Sequence, residues 1–176
     1  MNTQRLAIIP GTLALLPRYR SLIDPIGELR EAVSTTVHWL GPEVEVLGSE
    51  QGRRVGTELL GDRAISADAD STLVVLNGSA CRTEKAPGHF DERAEAFDAT
   101  LAAALIAADP VALRAVDVDL AGELWADVEV LPGLADLLEA RHRGHGDWQV
   151  SVEHDAVPHG VQYWVLRLES AGADHN

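Results

Sequence analysis

Cysteine is nearly absent from this chain: Cys81 is the only one, so no internal disulfide can brace the fold. Lysine is equally scarce, Lys85 standing alone against 13 arginines. That bias, with the abundance of alanine, carries no mechanistic weight. No apolar run approaches the roughly 18 residues of a membrane span. The run 6–16 is cut by Pro10 and Gly11, so no signal peptide is expected either. Positive charge is also short. A net charge of -14 argues against nucleic acid, which needs a basic surface, and against anionic membranes. The expectation is a soluble cytoplasmic protein whose acidity serves solubility.

At 176 residues the chain has the length of a single domain, 1–170, followed by a short flexible tail, 171–176. A domain of this size buries about 70% of its extended-chain surface and needs no metal to fold. Residues 5–9 read as a first buried strand. Asp24-Pro25 supplies an N-cap and a proline at the first helical position. From Ile26 the apolar residues Leu29, Val33, Val37 and Leu40 recur at helical spacing until Gly41-Pro42.

Residues 44–47 read as a second strand and 72–76 as a third. Between them, 48–70 reads as irregular with one helical turn. Residues 91–107 form a strong helix with Ala94, Phe97, Leu101 and Leu105 on one face, and Asp109-Pro110 opens another. Stretches 120–128 and 134–140 read as helical too. Residues 148–152 and 161–168 alternate apolar and polar side chains around turn chemistry at 155–160, which predicts a terminal β-hairpin. No internal repeat or low-complexity linker interrupts the pattern. The expected fold is α/β: a three-layer αβα arrangement on a mainly parallel sheet, with a C-terminal antiparallel hairpin.

The third strand runs into a dense polar loop, Asn77-Gly-Ser-Ala-Cys-Arg-Thr-Glu-Lys-Ala-Pro-Gly-His89. Ligands in open α/β sheets bind at the carboxyl ends of strands, so this loop is the first place to seek function. Backbone amides around Gly78 and Ser79 can form an anion-binding nest, with Arg82 and Lys85 adding charge. No phosphate-loop or dinucleotide-binding glycine spacing accompanies them. The plainer reading has Glu84 and Lys85 as partners that fix the loop. Cys81 is a nucleophile only if Arg82 or a helix N-terminus lowers its pKa, with His89 the nearest partner in sequence. Free cysteines more often serve as small buried hydrophobes.

Four histidines, His142, His145, His154 and His159, fall near the hairpin with Glu153 and Asp155 among them. Imidazole and carboxylate together can hold Zn²⁺ or Fe²⁺, as in the triad of two histidines and one carboxylate. The spacing matches no metal motif, so no metal is expected, with His154, Glu153 and His159 as the candidates if one binds. His38, near the end of the first long helix, suits a capping role.

Three segments resemble the class III extradiol ring-cleavage dioxygenase superfamily, closest to its short actinobacterial members. They are the loop from Asn77 to Ala94 with the helix through Asp98, the turn Asp155-Ala-Val-Pro-His-Gly-Val-Gln-Tyr163, and the first strand ending Ile9-Pro10. Together they cover about a third of the chain. The resemblance implies Fe²⁺ held by two histidines and a glutamate, with a further histidine as acid/base. Here Gly11-Thr12, Ala80 and Gly48-Ser49-Glu50 stand where those histidines are expected, and Glu153 is the loosest match to the carboxylate.

The expected function follows. The chain is a dioxygenase-like fold without the standard iron ligands, a pocket or scaffold protein rather than an enzyme. Asn77, Ser79, Arg82, Glu84, Lys85 and Tyr163 are the candidate ligand residues, Trp164 a further lining residue, and a small anion the candidate ligand. The alternatives are a divergent metal-dependent oxidoreductase acting on a small aromatic substrate, with Fe²⁺ or Zn²⁺ as cofactor, and a homo-oligomeric interaction protein, for example a homodimer.

Overall fold

A computed structural model describes residues 3–142 and 147–170. Six strands form one mixed sheet: β1 (Gln4–Ile9), β2 (Glu43–Leu47), β3 (Ala64–Ile65), β4 (Ser71–Val75), β5 (Gln149–Ala156) and β6 (Tyr163–Ser170). Their spatial order is β3-β2-β4-β1-β6-β5. β1, β2, β3 and β4 pair in parallel, while β6 runs antiparallel to both β1 and β5. The expected parallel core and terminal hairpin are both present. Six helices complete the described chain: α1 (Gly27–Trp39), α2 (Glu50–Leu60), α3 (Ala94–Ile106), α4 (Pro110–Arg114), α5 (Val118–Glu123) and α6 (Leu131–His142).

Alternation along the central strands sorts their side chains into two separate cores. Leu6, Ile8, Val74, Leu76, Trp164 and Leu166 join Phe97, Leu101 and Leu105 of α3 and Leu134 and Leu138 of α6. Ala7, Ile9, Leu73, Val75 and Val165 join Leu29, Val33 and Val37 of α1 and Leu60 of α2. Every residue of β4 is buried, as expected of a strand covered on both sides.

Three expectations change in the structure. The segment after β2 is not irregular: α2 runs for 11 residues, capped by Ser49, whose hydroxyl accepts from the Gly52 amide at 3.1 Å. Gly52 and Gly56 lower its helical propensity, but they let the helix lie directly on β4. A Cβ at Gly52 would come within 3.2 Å of Val75, and one at Gly56 within 3.0 Å. Second, Asp24-Pro25 caps an isolated turn rather than α1. Asp24 Oδ1 accepts from the Ile26 amide at 3.3 Å, and α1 begins at Gly27. Third, the helix expected over 120–128 stops at Glu123, because Trp125 turns left-handed with φ of 60°. The chain then pairs Asp127 with Asn77 as an isolated bridge. The tail 171–176 lies outside the described residues.

Candidate functional site

The parallel strands β1, β2 and β4 deliver three loops to one edge of the sheet, beginning at Pro10, Gly48 and Leu76. Asn77 ties them together. Its Oδ1 accepts from the Gly11 amide at 2.9 Å, and its backbone exchanges two hydrogen bonds with Asp127 at 3.1 and 3.2 Å. Gln51 Nε2 donates to the Gly11 carbonyl at 3.0 Å, and Ser49 Oγ donates to Asp127 Oδ2 at 2.5 Å. Ser49 thus caps α2 and holds a carboxylate at the same time. Tyr163 reaches this edge from β6. Burial pushes its phenol pKa up, against a hydrogen bond with the Thr12 side chain.

Two residues beyond Asn77, the loop turns into a second network on the α3 side. Asp98 is 2% exposed and accepts from the Ser79 amide and hydroxyl, both at 2.7 Å. Arg82 Nη1 donates to Asp98 Oδ2 at 3.3 Å and to Gln162 Oε1 at 3.0 Å. Gln162 Nε2 donates onward to Asp155 Oδ1 at 2.7 Å. Burial raises the Asp98 pKa, and the bonds from Ser79 and Arg82 oppose that rise. Burying a carboxylate costs several kcal/mol unless donors surround it, so the three bonds are a condition of its place here.

Backbone bonds stitch the same loop to the hairpin turn. Gly78 donates to the Gln162 carbonyl, Gln162 to that of Ser79, and Arg82 to that of Gly160, all at 2.9–3.0 Å. Gly160 has φ of +79°, and a Cβ there would sit 2.5 Å from Thr83 Oγ1. The turn therefore presses directly on the motif loop. That contact requires glycine.

The expected site residues divide accordingly. Asn77, Tyr163, Ser79 and Arg82 are engaged in these two networks, whereas Glu84 and Lys85 are exposed on the loop's outer turn. Arg82 points inward and has its charge matched by Asp98, so it does not line an anion site with Lys85. Ser79 is fully buried. Cys81 is buried as well, its thiol donating to the Leu124 carbonyl at 3.4 Å. Burial pushes that thiol pKa up, and the carboxylates of Asp91 and Asp98 push it further, the opposite of an activated nucleophile. Trp164 packs within a hydrophobic core rather than on a pocket wall.

Among the described residues the histidine candidates do not meet. Glu153 sits at a β-bulge, bonded by the Ser151 hydroxyl and 3.8 Å from Arg167 Nε. His154 lines a depression beside Asp24 and Glu28, and His159 occupies a left-handed turn with φ of 55°. Among the described residues no group of three His, Cys, Asp or Glu side chains converges. His145 and the side chain of His142 lie outside the described residues. His38 Nδ1 lies 2.7 Å from the Ser34 carbonyl within its own helix.

Asp98 and Asp127 are among the residues that sequence reasoning missed, as are Gln51 and Gln162. Asp98 carried a signal: it interrupts the apolar stripe of Ala94, Phe97, Leu101 and Leu105 at a position that must face inward. Asp127 carried none, since its role depends on Ser49, which lies 78 positions away. The chain matches no family model and no curated protein sequence. Among the described residues no helix is long and apolar enough to cross a membrane.

Proposed function

We propose that this chain is a metal-free binding or scaffold protein on an extradiol-dioxygenase-like, three-layer αβα frame, with its motif loop serving as a structural clasp. The observation that carries this reading is the use of the crevice donors on one another. Asn77 holds Gly11, Gln51 holds Gly11 and Ser49 holds Asp127. An extradiol iron site needs two imidazoles and a carboxylate with open positions between them. The crevice offers amides, hydroxyls and one carboxylate already bonded to Ser49, so its residues do not fit that metal. No step of ring cleavage follows from them.

Elemental analysis of anaerobically purified protein tests the reading, together with melting temperatures in added Fe²⁺ and Zn²⁺. The expectation is substoichiometric metal and no stabilisation by either ion. Stoichiometric iron or zinc that disappears in His154→Ala or Glu153→Gln overturns it in favour of a relocated metalloenzyme site. Measuring molar mass on the same sample sharpens the result. A stable dimer places the chain on the scaffold side of the proposal, and a monomer on the binding side.

A further inference from the structure

We propose that a cavity between α1, α2 and the turns after β1 binds a small amphipathic carboxylate, an acid with an aromatic ring or short alkyl chain. It supplies the binding side of the function above with a ligand class. It rests on that reading only in supposing that the chain binds rather than transforms its ligand.

The cavity measures about 190 Å³. Its apolar lining comes from Leu15, Val33 and Val37, each 2% exposed at its base, with Pro17 and Leu59 more open beside them. An apolar cavity of roughly 150 Å³ is known to hold a benzene-sized guest, which sets the scale of the apolar body. At the rim stand Arg20, Arg30, Ser34 and His38. Arg30 is part of the wall: it pairs with Asp24 at 2.8 Å and donates to the Leu15 and Ala14 carbonyls at 2.6 and 2.7 Å. Arg18 is taken by Glu58. Arg20 has no ion pair among the described residues, and its charge reaches Asp24 only as a minor influence. One arginine without an ion pair beside an apolar lining suits a ligand with one negative end.

Charge along the chain supports the choice of sign. Residues 1–63 carry seven arginines against eight carboxylates, whereas 64–176 carry seven basic side chains against twenty carboxylates. The cavity is built entirely from the nearly neutral stretch. Two other depressions are poorer seats for an anion. Asp24 and Glu28 rim the one beside His154, and Glu153 and Glu169 rim the one beside Trp39.

The test titrates the full chain with 4-fluorobenzoate and, as a neutral control, 4-fluorobenzyl alcohol, followed by fluorine NMR and by the methyl signals of Val33, Val37 and Leu59. The acid should bind saturably and shift those methyls, and the alcohol should bind about tenfold more weakly. Arg20→Gln should weaken the acid by about the same factor and leave the alcohol unchanged. Ser34→Trp, at an exposed position on the rim, should block both. No saturable binding, equal affinity for acid and alcohol, or methyl shifts confined to other residues overturns the proposal. Metal content is a separate readout: stoichiometric iron with intact carboxylate binding sinks the metal-free reading and leaves this cavity standing.

Discussion

Asn77 and Ser79 stand two residues apart beyond β4, and each anchors a polar network of a different character. On the Ser79 side a carboxylate with 2% exposure is matched to an arginine and held from a helix, a loop and a hairpin turn. On the Asn77 side the bonded side chains are half-buried or exposed, mostly neutral, and come from the strand-end loops, the first turn of α2 and Asp127. The contrast separates two uses of polar residues at a sheet edge. The first network is costly to open and fixes the fold, while the second can exchange its bonds with water at little cost.

The strongest way to break this comparison is Asp98→Ala. It leaves Arg82 without its buried counter-charge and the Ser79 amide and hydroxyl without an acceptor. Denaturant unfolding should show a loss of about 3–5 kcal/mol. A loss below about 1 kcal/mol would place the clasp in the same class as the Asn77 network.

Next in size is the pH response. Burial raises Asp98 above its ordinary pKa of 3.8, so the folded state favours its protonated form. That contribution is complete below the unfolded value and is lost as pH climbs through the raised folded value. Relative to Asp98→Asn, the wild type should therefore lose stability as pH rises above 3.8. Parallel melting curves across that range check the sign. A wild type that gains on the variant instead would mean that Arg82 and Ser79 outweigh burial.

Asn77→Ala should cost about 1 kcal/mol, because water can reach the Gly11 amide once the side chain is gone. Lys85→Ala should change stability by less than about 0.5 kcal/mol, as expected of an exposed side chain with no role in either network. A larger effect at Lys85 than at Asn77 would reverse the assignment of the loop's inner and outer faces.

Much of the frame was legible in the residues. The short apolar run Leu73–Leu76 bounded by polar residues, the alternation of β6 and the stripe of α1 each carry a pattern that points to one element. What escaped was written in contacts instead. α2 was hidden because its glycines are chosen for closeness to Val75, at the expense of helical propensity. Trp125 ended a helix through a left-handed turn that its side chain gives no reason to expect. In the site, the importance of the loop after β4 could be read from its position, but not the direction of its side chains. Arg82 reads as an anion ligand until Asp98, sixteen positions later, comes beside it.

The pairing of β6 with β1 has a consequence for how the molecule is made. Gln4 lies opposite Ser170, so β1 gains its second neighbour only after nearly all the described chain has been synthesised. Until then one edge of an apolar strand stands open on the nascent protein, and closing so long a loop is slow. Chaperone capture and temperature-sensitive yield during expression are therefore expected to track variants in β6 more closely than variants of equal stability in α3.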